Sequence, residues 1–146
     1  MSSNIDDFNI AVATILAELY RNFPNKISLC AGDFPMPPDS RASEDDEQRW
    51  QDEMNHWFYL VDLYNHTAYF LLEEGYIRGS ITPTYTPVSG CCLTSKGLAA
   101  LQKIPRSLKE RNRSIGDVFL DVGKDALKDG AKELIKSSVL SLLSGH

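Results

Sequence analysis

The sequence predicts an α+β fold that is mainly α, and three observations lead there. Apolar residues recur at helical spacing over two long stretches of the first half. Two short runs of strand character flank a proline-containing tip. A further amphipathic stretch follows a short basic segment near the C-terminal end. The expected organisation is an α+β domain over 1–105, a basic linker over 106–114 and an amphipathic helix within 115–146.

Composition sets the bounds. With 146 residues the chain holds one ordinary domain and at most an appendage. Its 42% hydrophobic and 24% charged residues are a globular mixture, and Trp50, Trp57, six Phe and six Tyr supply bulk for a core. No run approaches the roughly 20 apolar residues that cross a bilayer. Asp6 and Asp7 stand where a signal peptide would carry positive charge, so a cytoplasmic protein is expected. Three cysteines, two of them adjacent at Cys91 and Cys92, form neither a disulfide framework nor a metal knuckle. They read as reduced strand residues. A nucleophile made of Cys91 or Cys92 and served by His66 would need a fold that brings them together, which no motif demands.

Ile5, Phe8, Val12, Ile15, Leu16, Leu19 and Phe23 mark a first helix from Ile5 to Asn22, stopped by Asn22-Phe23-Pro24-Asn25. Lys26 to Cys30 alternates as a brief strand would. Gly32, Pro35, Pro37 and Pro38 make 31–42 a loop. Ser43 then opens a helix with Asp46 three residues on, an acidic capping box, and Glu44 to Glu47 suit the positive end of the helix dipole. Trp50, Met54, Trp57, Val61, Tyr64, Ala68 and Leu71 follow at alternating spacings of 4 and 3, one apolar seam reaching towards Glu74. Asn65-His66-Thr67 leaves open a turn that would divide this helix in two. Gly75 ends it as a left-handed cap. Tyr76 to Thr82 reads as a strand, 83–87 as a loop tip, and Val88 to Leu93 as the returning strand. Thr94 caps a short helix from Ser95 to Lys103, closed by Pro105.

Over Leu71-Leu72-Glu73-Glu74-Gly75-Tyr76-Ile77, a hairpin, and then Leu93-Thr94-Ser95-Lys96-Gly97-Leu98-Ala99-Ala100-Leu101, the chain resembles winged-helix domains of the MarR and PadR type. The resemblance implies a winged helix (helices plus a small antiparallel β-hairpin wing), here with an appended C-terminal amphipathic helix. It covers Leu71 to Leu101 well and Ile5 to Phe70 loosely. It names a scaffold and no ligand, because relatives of this kind bind DNA or other proteins.

Charge weighs against DNA. The resemblance places the reading helix within Gln51 to Glu74, which holds no Lys or Arg but carries Asp52, Glu53, Asp62, Glu73 and Glu74. Groove-reading helices need cations for phosphates and long donors for base edges. Residues 1–104 carry 7 basic and 14 acidic side chains, a net of −7, and a field of that sign repels a polyanion. The candidate partner or DNA contacts are Asn65, His66, Tyr69, Arg78 and Tyr85. His56 and His66, ten residues apart, lie about 80° apart around a helix and have no ligand spacing with a carboxylate. No metal, cofactor or catalytic residue is expected.

Arg106, Lys109, Arg111 and Arg113 make the basic linker, a solvated segment that would assist any nucleic-acid contact. Beyond it, Asp117, Asp121, Asp125, Asp129 and Glu133 form one column at a spacing of four, and Lys124, Lys128, Lys132 and Lys136 the next. Two further columns are apolar or small, with Phe119, Val122, Gly123, Ala126, Leu127, Gly130, Ala131, Leu134 and Ile135 at their centre. The expectation is one helix from Ile115 to Leu143. Its stripe drifts about 40° per four-residue step, and its interior glycines invite a close backbone. Self-association into a dimer or tetramer ranks first, docking on the chain's own domain second, and a membrane surface third, since the polar face is not strongly basic. The reading as a whole is a non-catalytic winged-helix regulator or adaptor that acts through another protein and through self-association. The alternative is a DNA-binding transcriptional regulator.

Overall fold

A computed structural model describes residues 4–30, 44–81, 88–104, 112–122 and 129–144, with the backbone alone at 44–45, 122 and 129–132. Among these lie five helices and one two-stranded antiparallel sheet, a mainly helical α+β fold. In chain order they are α1 (Asn4–Asn22), α2 (Glu44–Glu73), β1 (Ile77–Ile81), β2 (Val88–Leu93), α3 (Ser95–Gln102), α4 (Ile115–Val122) and α5 (Asp129–Leu143).

α1 is the centre of the molecule. Its apolar positions are so closely spaced that Ala11, Val12, Ala13, Ile15, Leu16, Ala17 and Leu19 are all buried. A helix buried over so much of its circumference needs partners on several sides. It has them in α2, α4, α5 and β2.

α2 runs unbroken for 30 residues, so no turn falls at Asn65-His66-Thr67. Its seam is the core face: Trp57, Val61, Tyr64, Ala68 and Leu71 are buried, and Met54 packs against them. The expected cap at Ser43 and the loop over 31–42 lie outside the described residues. The other end stops as a Schellman motif. Gly75 sits at φ +83°, its N–H donates to Leu72 O at 3.2 Å, and Tyr76 N–H donates to Leu71 O at 3.0 Å.

β1 and β2 pair from Ile77 opposite Leu93 to Ile81 opposite Val88. The register slips between Arg78 and Ser80, where Gly90 on β2 adopts φ +57° and an extra residue is accommodated. The bulge explains the adjacent cysteines. Beyond it Cys91, Cys92 and Leu93 are all buried, and Cys91 exchanges backbone hydrogen bonds with Ile27 at 2.6 and 2.9 Å. Leu29 N–H donates to Val88 O at 3.0 Å, so the expected brief strand at Lys26–Cys30 lies along the other edge of β2 as a short bridge. The tip over 82–87 lies outside the described residues.

The Leu-Thr-x-x-Gly run acquires a physical cause. Thr94 N–H donates to Tyr76 O at 3.1 Å, its hydroxyl donates to Gly75 O, and the same oxygen accepts the Gly97 N–H at 3.0 Å. One side chain thus caps α3 and ties it to the end of α2. A Cβ on Gly97 would fall on the Tyr76 carbonyl oxygen, so only glycine permits this approach.

The C-terminal expectation needs correcting. Instead of one helix from Ile115 to Leu143, the described residues form two, and α4 and α5 pack on each other and on α1. Ile115, Val118, Phe119, Ile135, Val139 and Leu142 belong to the same core as α1 and α2. The drift of the stripe supplies the reason. At about 40° per four-residue step, a straight helix over Ile115–Leu143 would turn its stripe off α1 well before its end. Two shorter helices bury both ends of the stripe. Close approach occurs at Gly116, where a Cβ would clash with the Tyr20 ring. Ser114 and Asp117 start α4 with a reciprocal capping box at 3.1 and 3.2 Å.

Candidate functional site

The open side of α2 carries the site. At 100° per residue, Asn65, Phe58, Tyr69, Asp62 and His66 fall within an arc of about 100° centred away from the Trp57–Leu71 seam. α1 occupies a different flank, where Phe8 meets Phe70 edge-on at 5.3 Å and the Tyr59 hydroxyl donates to Asp7 at 3.2 Å. Burial and then the Asp7 carboxylate raise the Tyr59 phenol above its ordinary value.

Within the arc, His66 Nε2 lies 3.4 Å from Asp62, and its ring meets Tyr69 edge-on at 6.1 Å. Phe58 is 53% exposed, with its ring edge-on to Trp57 at 5.2 Å. Asn65 is half-buried, and its side-chain oxygen is shielded from solvent without a hydrogen-bond partner. Asn65, His66 and Tyr69 are thus brought onto one face with Phe58 and Asp62, two residues that the sequence reading passed over. The signal was there: Phe58, Asp62, Asn65 and Tyr69 repeat at spacings of 4, 3 and 4, a second seam beside the first. The arc holds an acid and two aromatic rings but no Lys or Arg.

Arg78 belongs elsewhere. It is exposed on β1 and lines a hollow with Phe23, Thr94 and Lys96, to which none of the α2 candidates contributes. Tyr85 and the linker residues Arg106, Lys109 and Arg111 lie outside the described residues. Arg113 is described, and it is committed to structure: it pairs with Asp121 and donates to the Asp117 carbonyl at 3.2 Å, holding the start of α4. Of the residues expected to join chains, Phe119 and Ile135 are buried in the chain's own core, and Leu134 packs half-buried against it. The side chains of Val122, Gly123, Ala126, Leu127, Gly130 and Ala131 lie outside the described ones.

The sulfur chemistry is quiet. Cys91 is fully buried, and burial, with the neighbouring Cys92, pushes its thiol up to about 12. A thiol there stays protonated at neutral pH and is a poor nucleophile. His66 is engaged with Asp62 and Tyr69. Among the described residues no group of three or more His, Cys, Asp or Glu is arranged to hold a metal ion, and no helix is long and apolar enough to cross a membrane.

Compared with protein-family models, with curated proteins and with solved structures, the chain finds no match.

Proposed function

We propose that this chain is a non-catalytic protein-interaction module on a winged-helix-like scaffold, regulatory or adaptor in role, which meets its partner through the open face of α2. The single observation that carries the reading is that face itself: Phe58 exposed, Tyr69 and His66 in edge contact, Asp62 beside them, and no cation from Gln51 to Glu74. An exposed phenylalanine beside a half-buried tyrosine and an acid suits a partner that offers an apolar socket edged by basic side chains. The same set suits a phosphate backbone poorly.

The scaffold likeness rests on the glycine-capped helix before the hairpin, the bridge from Ile27 to the second hairpin strand, and the Thr94-capped helix after it. Among the described residues α2 is continuous, so the helix-turn-helix part of the likeness has no counterpart there.

A photo-reactive amino acid in place of Phe58 tests the proposal in cells, with the same residue at exposed Glu18 as control. The expected result is a discrete protein adduct at position 58 and none at 18. Capture of nucleic acid at 58, or duplex DNA affinity that falls steeply with salt, overturns the reading in favour of a DNA-binding regulator.

A further inference from the structure

Among the described residues the ionic pairing of cations is uneven. Arg21 pairs with Glu18, Arg49 with Asp46 and Arg113 with Asp121. Lys96 and Lys103, by contrast, are held by main-chain oxygens. Lys96 Nζ donates to Glu74 O at 2.7 Å and stands 4.5 Å from the centre of the Tyr76 ring, and Lys103 Nζ reaches Ser141 O at 3.5 Å. Backbone carbonyls orient an ammonium without neutralising it. Each lysine therefore keeps its full charge and at least one donor for something else.

Both lysines line one open groove of about 480 Å³ between α3 and the end of α5. Its floor is apolar: Tyr76, Ala99, Ala100 and Leu142. Among the described residues that line it none is a carboxylate, although the charge of Glu74, whose main-chain oxygen holds Lys96, reaches the Tyr76 ring. Lys96 lies in the first turn of α3 and Lys103 caps its end seven residues on, which sets their Cα atoms roughly 10 Å apart. In a chain of net charge −5, a groove whose described lining holds two lysines and no acid is more basic than the chain as a whole.

We infer that this groove docks an acidic peptide segment of a partner protein, with two carboxylates roughly 10 Å apart on the lysines and an apolar side chain between them on the Ala99–Leu142 floor. Two turns of a helix, or about three residues of extended chain, span that interval. Charge complementarity selects the acidic occupant, and openness selects a peptide, because a small ligand needs a cleft that encloses most of its surface. The surface is separate from the α2 face and complements it in charge, so it extends the module to a second partner segment without depending on the first.

The test uses the full chain and a fluorescent 12-residue synthetic peptide with two glutamates seven apart and a leucine midway, read by anisotropy. Its control replaces both glutamates with lysine. The acidic peptide is expected to bind at least tenfold more tightly than the control. The double variant K96E/K103E should abolish that preference, and Ala99→Trp, which fills the groove at unchanged charge, should weaken binding at least tenfold. Circular dichroism and melting identify any variant that has lost its fold, and Ala99→Trp and K96E/K103E report independently. Equal binding of the two peptides overturns the inference. So does an Ala99→Trp variant that folds and binds normally, since general charge attraction would then suffice. Sedimentation with anionic phosphatidylserine vesicles, with no response to the peptide, also overturns it.

Discussion

α2 and the stretch from Ile115 to Leu143 are both amphipathic and span similar lengths of chain, yet one keeps a face open and the other buries the ends of its stripe within the chain's own core. α2 is a single rod whose apolar seam follows alternating spacings of 4 and 3, so the seam stays straight enough for one continuous contact. The C-terminal stretch follows a strict spacing of four, which winds its stripe away from any straight partner. The fold resolves this with two helices, each meeting α1 over a short length. A periodic stripe fixes which side chains leave water, and the geometry of what is available to cover them decides where they go.

The sharpest way to break the comparison is truncation after Pro105. It removes Ile115, Val118, Phe119, Ile135, Val139 and Leu142 from the core and uncovers two flanks of α1. The expected outcome is loss of cooperative unfolding by circular dichroism. A truncated chain that still unfolds in one sharp transition would make the C-terminal pair a mere appendage.

Next in size is Trp57→Ala on the α2 seam, expected to cost about 3–5 kcal/mol in a denaturant titration, as for a large buried aromatic. An unchanged midpoint would mean that the seam does not bear on the core. Gly97→Ala should cost about 1–3 kcal/mol, because the added methyl meets a backbone carbonyl that cannot swing aside. The smallest effect belongs to the open face: Phe58→Ser should change stability by less than about 0.5 kcal/mol. If it destabilises as much as Gly97→Ala does, Phe58 is part of the fold and unavailable as a contact.

How much of this was legible in the residues depends on how local the cause was. Gly75, Thr94 and the α2 seam were readable because caps and periodicity act within a few residues, and the hairpin bounds followed from Gly75 and Thr94. Two helices in place of one over Ile115–Leu143 were not readable, because the surface that the drifting stripe must cover is α1, more than 90 residues earlier. The groove was equally hidden. Nothing local joins Lys96 and Lys103 to a groove, and its far wall at Leu142 arrives only with α5. Phe58 lay in plain view and was passed over because the stronger seam beside it took up the helical signal.

The placement of α1 bears on how the chain is made. α1 is synthesised before the elements that cover it, and the last of the described ones begins at Asp129, more than 100 residues after α1 ends at Asn22. At about 5–20 residues per second, roughly 5–20 s separate the two on the ribosome. During that interval the apolar flank that will receive α5 has no partner in its own chain. Holding factors that bind exposed apolar helices would therefore find this nascent chain, and a stall before Asp129 would leave it prone to association with its neighbours on the same message.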